Sequence, residues 1–180
     1  EKELVIFLDF FFIIFIVSLN NLKNINHKNT LIEKVLIPIL KLNIDFNLNK
    51  LYQSSNDGKF YPISYYLIRL NNEKLYNKIN KIGFNKDIFI NDNRKYCYMK
   101  SVFLNKDICK GSFLYHFLNI EKDVFIKKIN NDIISERKNF INAIPFNVNV
   151  FNIFKKVFDK DTYNKILIDY FTYNENLKHI

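Results

Sequence analysis

Between Tyr61 and Asn152 the chain alternates short β-branched and aromatic runs with runs of helical period. That alternation limits the folds open to it more than any other feature. Ile63–Leu70, ISYYLIRL, has the composition of a strand. Asn71-Asn72 can cap a helix in which Leu75, Ile79 and Ile82 recur at helical spacing; Lys74, Lys78 and Lys81 line its other face, and Gly83 stops it. Ile88–Ile90 and an Asp92-Asn93 turn lead onward. Tyr96–Met99 and Phe113–Ile120 predict two strands around a polar tip, Asn105-Lys106-Asp107, and a Lys110-Gly111-Ser112 turn. Together they predict a long hairpin arm over residues 94–113. Phe125–Phe140 has a mixed apolar and charged pattern, with Ile126, Ile129, Ile133 and Ile134 available for a core face. Pro145 breaks the chain, and Phe146, Val148 and Val150 then alternate with Asn147 and Asn149 as a half-buried strand. The order β-α-β-β-α-β predicts an α+β, ferredoxin-like split β-α-β domain over 61–152.

The flanks, 1–60 and 153–180, are expected to be mainly helical extensions. Residues 4–19, LVIFLDFFFIIFIVSL, are the most apolar stretch and contain Asp9. A bilayer span usually needs roughly 18–20 apolar residues, so this run falls a little short. No basic n-region or Ala-x-Ala site accompanies it, and the chain opens on Glu1 rather than Met, which places the expected true N-terminus upstream. Three readings stay open: an element buried on partner proteins, a membrane anchor, or a targeting remnant. Residues 20–29 read as a polar linker with a solvated His27. Thr30 and Glu33 have capping-box spacing ahead of a helix face of Leu31, Val35, Leu36 and Leu40, which Pro38 should kink or end. Asn56-Asp57-Gly58 is a turn signal that closes this extension. Phe154–Tyr173 predicts an amphipathic helix with Val157, Ile166, Leu167 and Tyr170 apolar, and His179 an ordinary terminal residue.

Composition names a source before it names a function. Lys, Asn, Ile, Phe and Tyr dominate, Ala143 is the only alanine, Arg69, Arg94 and Arg137 are the only arginines, and Trp is missing. All the abundant residues can be written with A/T-only codons. The expected source is a mitochondrial or plastid genome, with an A/T-rich nuclear genome second. Runs of Phe and Asn accordingly carry less structural meaning than usual. With 48% hydrophobic residues the chain is not disordered. Its 27 basic and 18 acidic residues leave a net charge of +9, which suits an anionic partner such as nucleic acid or an acidic membrane surface. Lys stands where other chains use Arg, so phosphate contacts would come mainly from point-like ammonium groups.

No catalytic constellation is visible. Gly58, Gly83 and Gly111 are the only glycines, so no Gly-rich phosphate loop exists, and there is neither a GxSxG nor an HExxH motif. Cys97 and Cys109 lie 12 apart without a ligand cluster and are expected to be reduced thiols. His116 reads as a satisfied structural histidine on an apolar strand. No catalytic residue, metal site or cofactor is expected. Binding chemistry concentrates in the arm, where Arg94, Lys95, Lys100, Lys106 and Lys110 interleave with Tyr96, Tyr98 and Phe103. Cations meet phosphates and aromatic faces stack on unpaired bases, a combination suited to structured RNA.

The arm carries a resemblance. Ser101, Asn105, Lys106 and Asp107 fit the Ser-x-x-x-Asn-Lys-Asp segment of the small ribosomal subunit protein 10 family without a gap. ISYYLIRL is similar to that family's first strand, and Ala143–Val150 to its closing strand. Val102 and Phe103 replace the family's Pro-His, Cys109 its Arg, and Asn147 its closing-strand Gly. The resemblance covers 61–152 and implies a non-catalytic ribosomal protein in the head of the small subunit. It further implies an arm inserted between ribosomal RNA and neighbouring proteins, with small-subunit proteins 3 and 14 as neighbours and other organellar ribosomal proteins meeting the extensions. The expected arm contacts are Arg94, Lys95, Tyr98, Lys100, Ser101, Phe103, Asn105, Lys106, Asp107 and Lys110. The implied location is the mitochondrial matrix. The competing expectation is an organelle-encoded accessory subunit of a respiratory membrane complex, anchored by 4–19.

Overall fold

The computed structural model describes residues 2–42, 47–53, 58, 60–90, 94–104 and 112–174. It is mostly helical, with two small two-stranded antiparallel hairpins, and the expected β-α-β-β-α-β ferredoxin-like domain is not formed. Contacts gather into two compact units, Glu1–Tyr98 and Met99–Ile180, so the division falls inside the expected 61–152 domain.

The first unit opens with α1, Lys2–Asn21. Phe12, Ile13, Ile16 and Leu19 form its buried stripe, whereas Phe11, Ile14 and Val17 are exposed. Asn24 then caps α2, Ile25–Leu31, by accepting from His27 N at 3.0 Å. The expected linker is therefore helical, and His27 sits exposed on its first turn. Because the helix starts at Asn24, Thr30 lies too far along it to act as a cap; its hydroxyl donates instead to Asn26 O at 2.9 Å. A widened π-helical turn, Ile32–Leu36, runs into α3, Ile37–Ile39. Pro38 has no N–H to donate to the preceding turn, and the helix ends within two residues of it, as its position predicts.

β1, Leu51–Gln53, pairs with β2, Phe60–Pro62, with Tyr52 opposite Tyr61. Gly58 lies between them at φ +67°, a conformation that suits glycine, and Gln53 Nε2 donates to its carbonyl at 3.0 Å. The hairpin spans residue 60, so the chain continues as one unit across the expected end of the extension.

Next comes α4, Ile63–Ile68, where a strand was expected. Its buried residues are Ile63, Ser64, Leu67 and Ile68, at spacing i, i+1, i+4, i+5, which is a helix face and not a strand face. Aromatic and β-branched propensity yields here to tertiary burial. α5, Glu73–Ile82, forms as predicted. Asn72 Oδ1 accepts from Leu75 N at 2.9 Å, and Gly83 ends the helix at φ +86°, ψ +139°, a region nearly closed to other residues. Leu75, Tyr76 and Ile79 are buried, while Ile82 is exposed. Asn72 itself is buried, and its Nδ2 donates to Asn29 Oδ1 at 3.2 Å. Asn72→Ala should therefore lower stability by about 0.5–2 kcal/mol, the range for losing such a cap, read as a lower urea midpoint.

β3, Asp87–Ile90, and β4, Arg94–Cys97, form the second hairpin, with Ile88 opposite Tyr96. Its second strand overlaps the start of the expected arm at Arg94–Cys97, and its first lies upstream. α6, Tyr98–Leu104, begins immediately after β4.

The second unit continues through α7, Phe113–Ile120, α8, Lys122–Ile129, and α9, Ile134–Ile141. It closes with α10, Val148–Val157, and α11, Lys160–Tyr173. Phe125–Phe140 is thus two helices, separated by a turn in which Asn131 Oδ1 accepts from Ile133 N at 2.9 Å. Of its expected core face, Ile129 is buried, Ile126 half-buried, and Ile133 and Ile134 exposed. The expected closing strand is the start of α10: Asn147 caps it by accepting from Asn149 N at 2.8 Å, and Val150, Phe154 and Val157 form its buried stripe. The single C-terminal helix expected over Phe154–Tyr173 is interrupted at Phe158-Asp159, where Asp159 caps α11.

The core of this unit is a cluster of phenylalanines. Phe125 lies 4.8 Å from Phe158, 5.3 Å from Phe140 and Phe154, and 6.0 Å from Phe103, centroid to centroid. Such edge-to-face and tilted pairs add about 0.5–1.5 kcal/mol each beyond area burial.

Candidate nucleic-acid interface

The described residues of the expected RNA-binding arm lie on a strand followed by a helix. Arg94 and Lys95 are on β4, whereas Tyr98, Lys100, Ser101 and Phe103 are on α6. Tyr98 and Phe103 are buried, at 1% and 2% exposure, so neither ring offers a face to a base. The physical reason is again spacing: Tyr98, Met99, Val102 and Phe103 are all buried, at i, i+1, i+4 and i+5. Phe113, Leu114, Phe117 and Leu118 repeat the pattern on α7, in place of the expected second arm strand. Asn105, Lys106, Asp107 and Lys110, with Cys109 and His179, lie outside the described residues. Cys97 falls on β4, and His116 is half-buried on α7.

The two arginines whose side chains are described both engage tyrosines. Arg69 donates to the Tyr65 hydroxyl and lies over that ring at 5.3 Å. Arg137 Nη2 donates to Tyr173 Oη at 2.8 Å, with its guanidinium 5.4 Å from the ring centre and its Nε 3.9 Å from Asp169 Oδ2. The Tyr173 hydrogen bond, aided by Asp169, raises the Arg137 pKa further above its already high value. This arrangement ties α9 to α11.

Cationic display falls to lysine. On α5, Lys74 and Lys81 are exposed and Lys78 half-buried, opposite the buried Leu75 and Ile79, as the sequence pattern predicts. Lys74 meets Glu33 at 2.8 Å in an exposed pair of the kind worth only about 0–1 kcal/mol, so a polyanion can displace it. Lys155 and Lys156 on α10 and Lys160 on α11 are exposed as well.

Between α10 and α11 runs an open groove of about 270 Å³. Phe146, Val148, Phe151 and Asn152 line one side, and Tyr163, Leu167 and Phe171 the other. Tyr170 forms part of the packing beneath: its ring is stacked with Phe146 at 6.2 Å and edge-on to Phe151 at 5.0 Å, and burial pushes its phenol pKa up. Phe146 and Phe171 nonetheless remain 67% and 63% exposed. Sequence reasoning missed this groove, having placed Phe146 and Val148 on a strand. The signal available was Tyr163, Leu167 and Phe171 at i, i+4 and i+8, a stripe beside the buried Ile166 and Tyr170.

Among the described residues no group of three His, Cys, Asp or Glu is placed to hold a metal ion. No helix among them is long and apolar enough to cross a membrane. Compared with protein-family models, curated proteins and solved structures, the chain matches none.

Proposed function

We propose that the chain is a non-catalytic structural component of an organellar ribosome, that of the mitochondrion first, where it holds small-subunit ribosomal RNA through lysine ammonium groups. The observation that carries this is the lysine display on α5 and on the α10–α11 pair, set on faces turned away from the core of a chain with net charge +9. The A/T-codon composition supports an organellar source. A hairpin arm has no part in this reading, because the ferredoxin-like fold that would present it is absent. Small-subunit proteins 3 and 14 were expected as neighbours of that arm and are not needed here.

Salt dependence tests the proposal. Binding of the full-length protein to a small-subunit ribosomal RNA fragment should weaken linearly in log–log form, with a slope of about −0.7 to −0.9 per phosphate neutralised. Replacing Lys78, Lys81, Lys155 and Lys156 together by Ala should flatten the slope by about one for each lysine in contact. A salt-independent affinity, or no binding at low salt, would overturn it.

A second reading is favoured by one observation. Phe11, Ile14 and Val17 present an exposed apolar stripe on α1, at 57%, 46% and 37% exposure. Such a stripe suits burial against another subunit, including one in a respiratory membrane complex. Carbonate extraction separates the two readings, since a subunit held in the bilayer stays with the lipid and a ribosomal one is released.

A further inference from the structure

We infer that the groove between α10 and α11 takes unpaired RNA bases, an inference that rests on the RNA-binding reading and gives it a site. The groove is too small and open for a cofactor pocket, which usually encloses about 300–1,000 Å³, but it presents aromatic rings that solvent reaches. Phe146 and Phe171, both more than half exposed, stand at its rim. Aromatic faces stack on any base, and Asn152 and the Tyr163 hydroxyl add hydrogen-bonding groups to the lining.

Charge decides between a nucleic acid and an apolar protein segment. Lys155 follows Phe151 by four residues and Asn152 by three, and Lys160 precedes Tyr163 by three. Helical spacing therefore continues both lining stripes into an ammonium group at the end of the groove nearest the Phe158-Asp159 turn. The Asp159 carboxylate at that turn faces α11, accepting from Thr162 N at 2.8 Å and Thr162 Oγ1 at 2.9 Å. These bonds hold its pKa below the ordinary carboxylate value. Asp161 lies on the neighbouring stripe, with Lys165 and Ile168. A neutral apolar helix gains only the small end-of-dipole attraction from two cations at one end of its seat, whereas the phosphates flanking a stacked base meet them with full negative charges.

The test is fluorescence anisotropy of the full-length protein with a labelled single-stranded RNA of about 12 nucleotides, within the usual range of such sites, and with the same strand in a duplex. Phe146→Ala/Phe171→Ala should weaken single-strand binding about 5- to 150-fold for each stacked base lost and leave duplex binding unchanged. Phe171→Tyr should keep the wild-type affinity. Circular dichroism checks the fold; should the double variant lose helicity, Lys155→Glu/Lys160→Glu asks the same question, with a salt slope flattened by about one per lysine expected. Unchanged single-strand affinity, or an unchanged slope, overturns the groove and leaves RNA binding standing. Absence of RNA binding in the wild type overturns both.

Discussion

Phe103→Ala should destabilise the second unit by about 3–5 kcal/mol, the usual range for emptying a buried aromatic site. Phe103 is 2% exposed and lies about 6 Å from three other rings, those of Phe125, Phe140 and Phe154. Truncation leaves a void bounded by stiff rings that cannot close over it. A whole domain is stable by only about 5–15 kcal/mol, so the loss is a large share of the total. Chemical denaturation should show a much earlier transition. The same residue on a solvated hairpin tip would move the midpoint little, since surface substitutions usually stay within about 0.5 kcal/mol. One variant thus decides whether this position is core or arm.

Tyr98→Ala is the parallel case in the first unit. Tyr98 is 1% exposed, edge-on to Phe84 at 5.9 Å, with the Lys86 ammonium 5.6 Å from its ring centre. Its backbone N donates to Lys86 O at 3.4 Å, continuing the β3–β4 ladder by one rung. Removing the ring should cost about 3 kcal/mol or more and expose the β3–β4 amides to exchange. In Phe103→Ala the amides of α8 and α10 should lose protection first. Hydrogen exchange distinguishes the two outcomes segment by segment. Equal loss in both units from either variant would contradict the placement of these residues in separate cores.

How much of this was legible in the residues follows from contrast. α5 was legible because its lysines and its Leu75, Ile79 face differ sharply and because Asn72 and Gly83 mark its ends. α4, α6 and α7 were misread as strands for the opposite reason. Their buried positions repeat as i, i+1, i+4, i+5, but in α4 and α7 further aromatics intervene, as Tyr65, Tyr66 and Tyr115 show, and in α6 the Tyr98-Met99 pair continues the aromatic run of β4. A/T-biased coding supplies Tyr, Phe and Ile on both faces, which flattens the helical period and imitates strand propensity. Val148 and Val150 misled differently, since three alternating residues sample period two too briefly to exclude a helix start.

Asparagine shows the same bias working the other way. Its abundance suggested little structural meaning, yet Asn24, Asn72 and Asn147 each cap a helix through their side chains. A short polar side chain competes well for the first unpaired N–H groups of a helix whatever the codon pressure that placed it there. The groove was the least legible feature. It depends on α10 folding back along α11, and no local pattern specifies that packing.

The most direct measurement is sedimentation of an organelle lysate through a sucrose gradient at moderate salt. The protein should travel with small-subunit ribosomal RNA and shift to the top of the gradient after ribonuclease or high-salt treatment. Recovery in carbonate-resistant membranes, in fractions free of ribosomal RNA, would contradict the account.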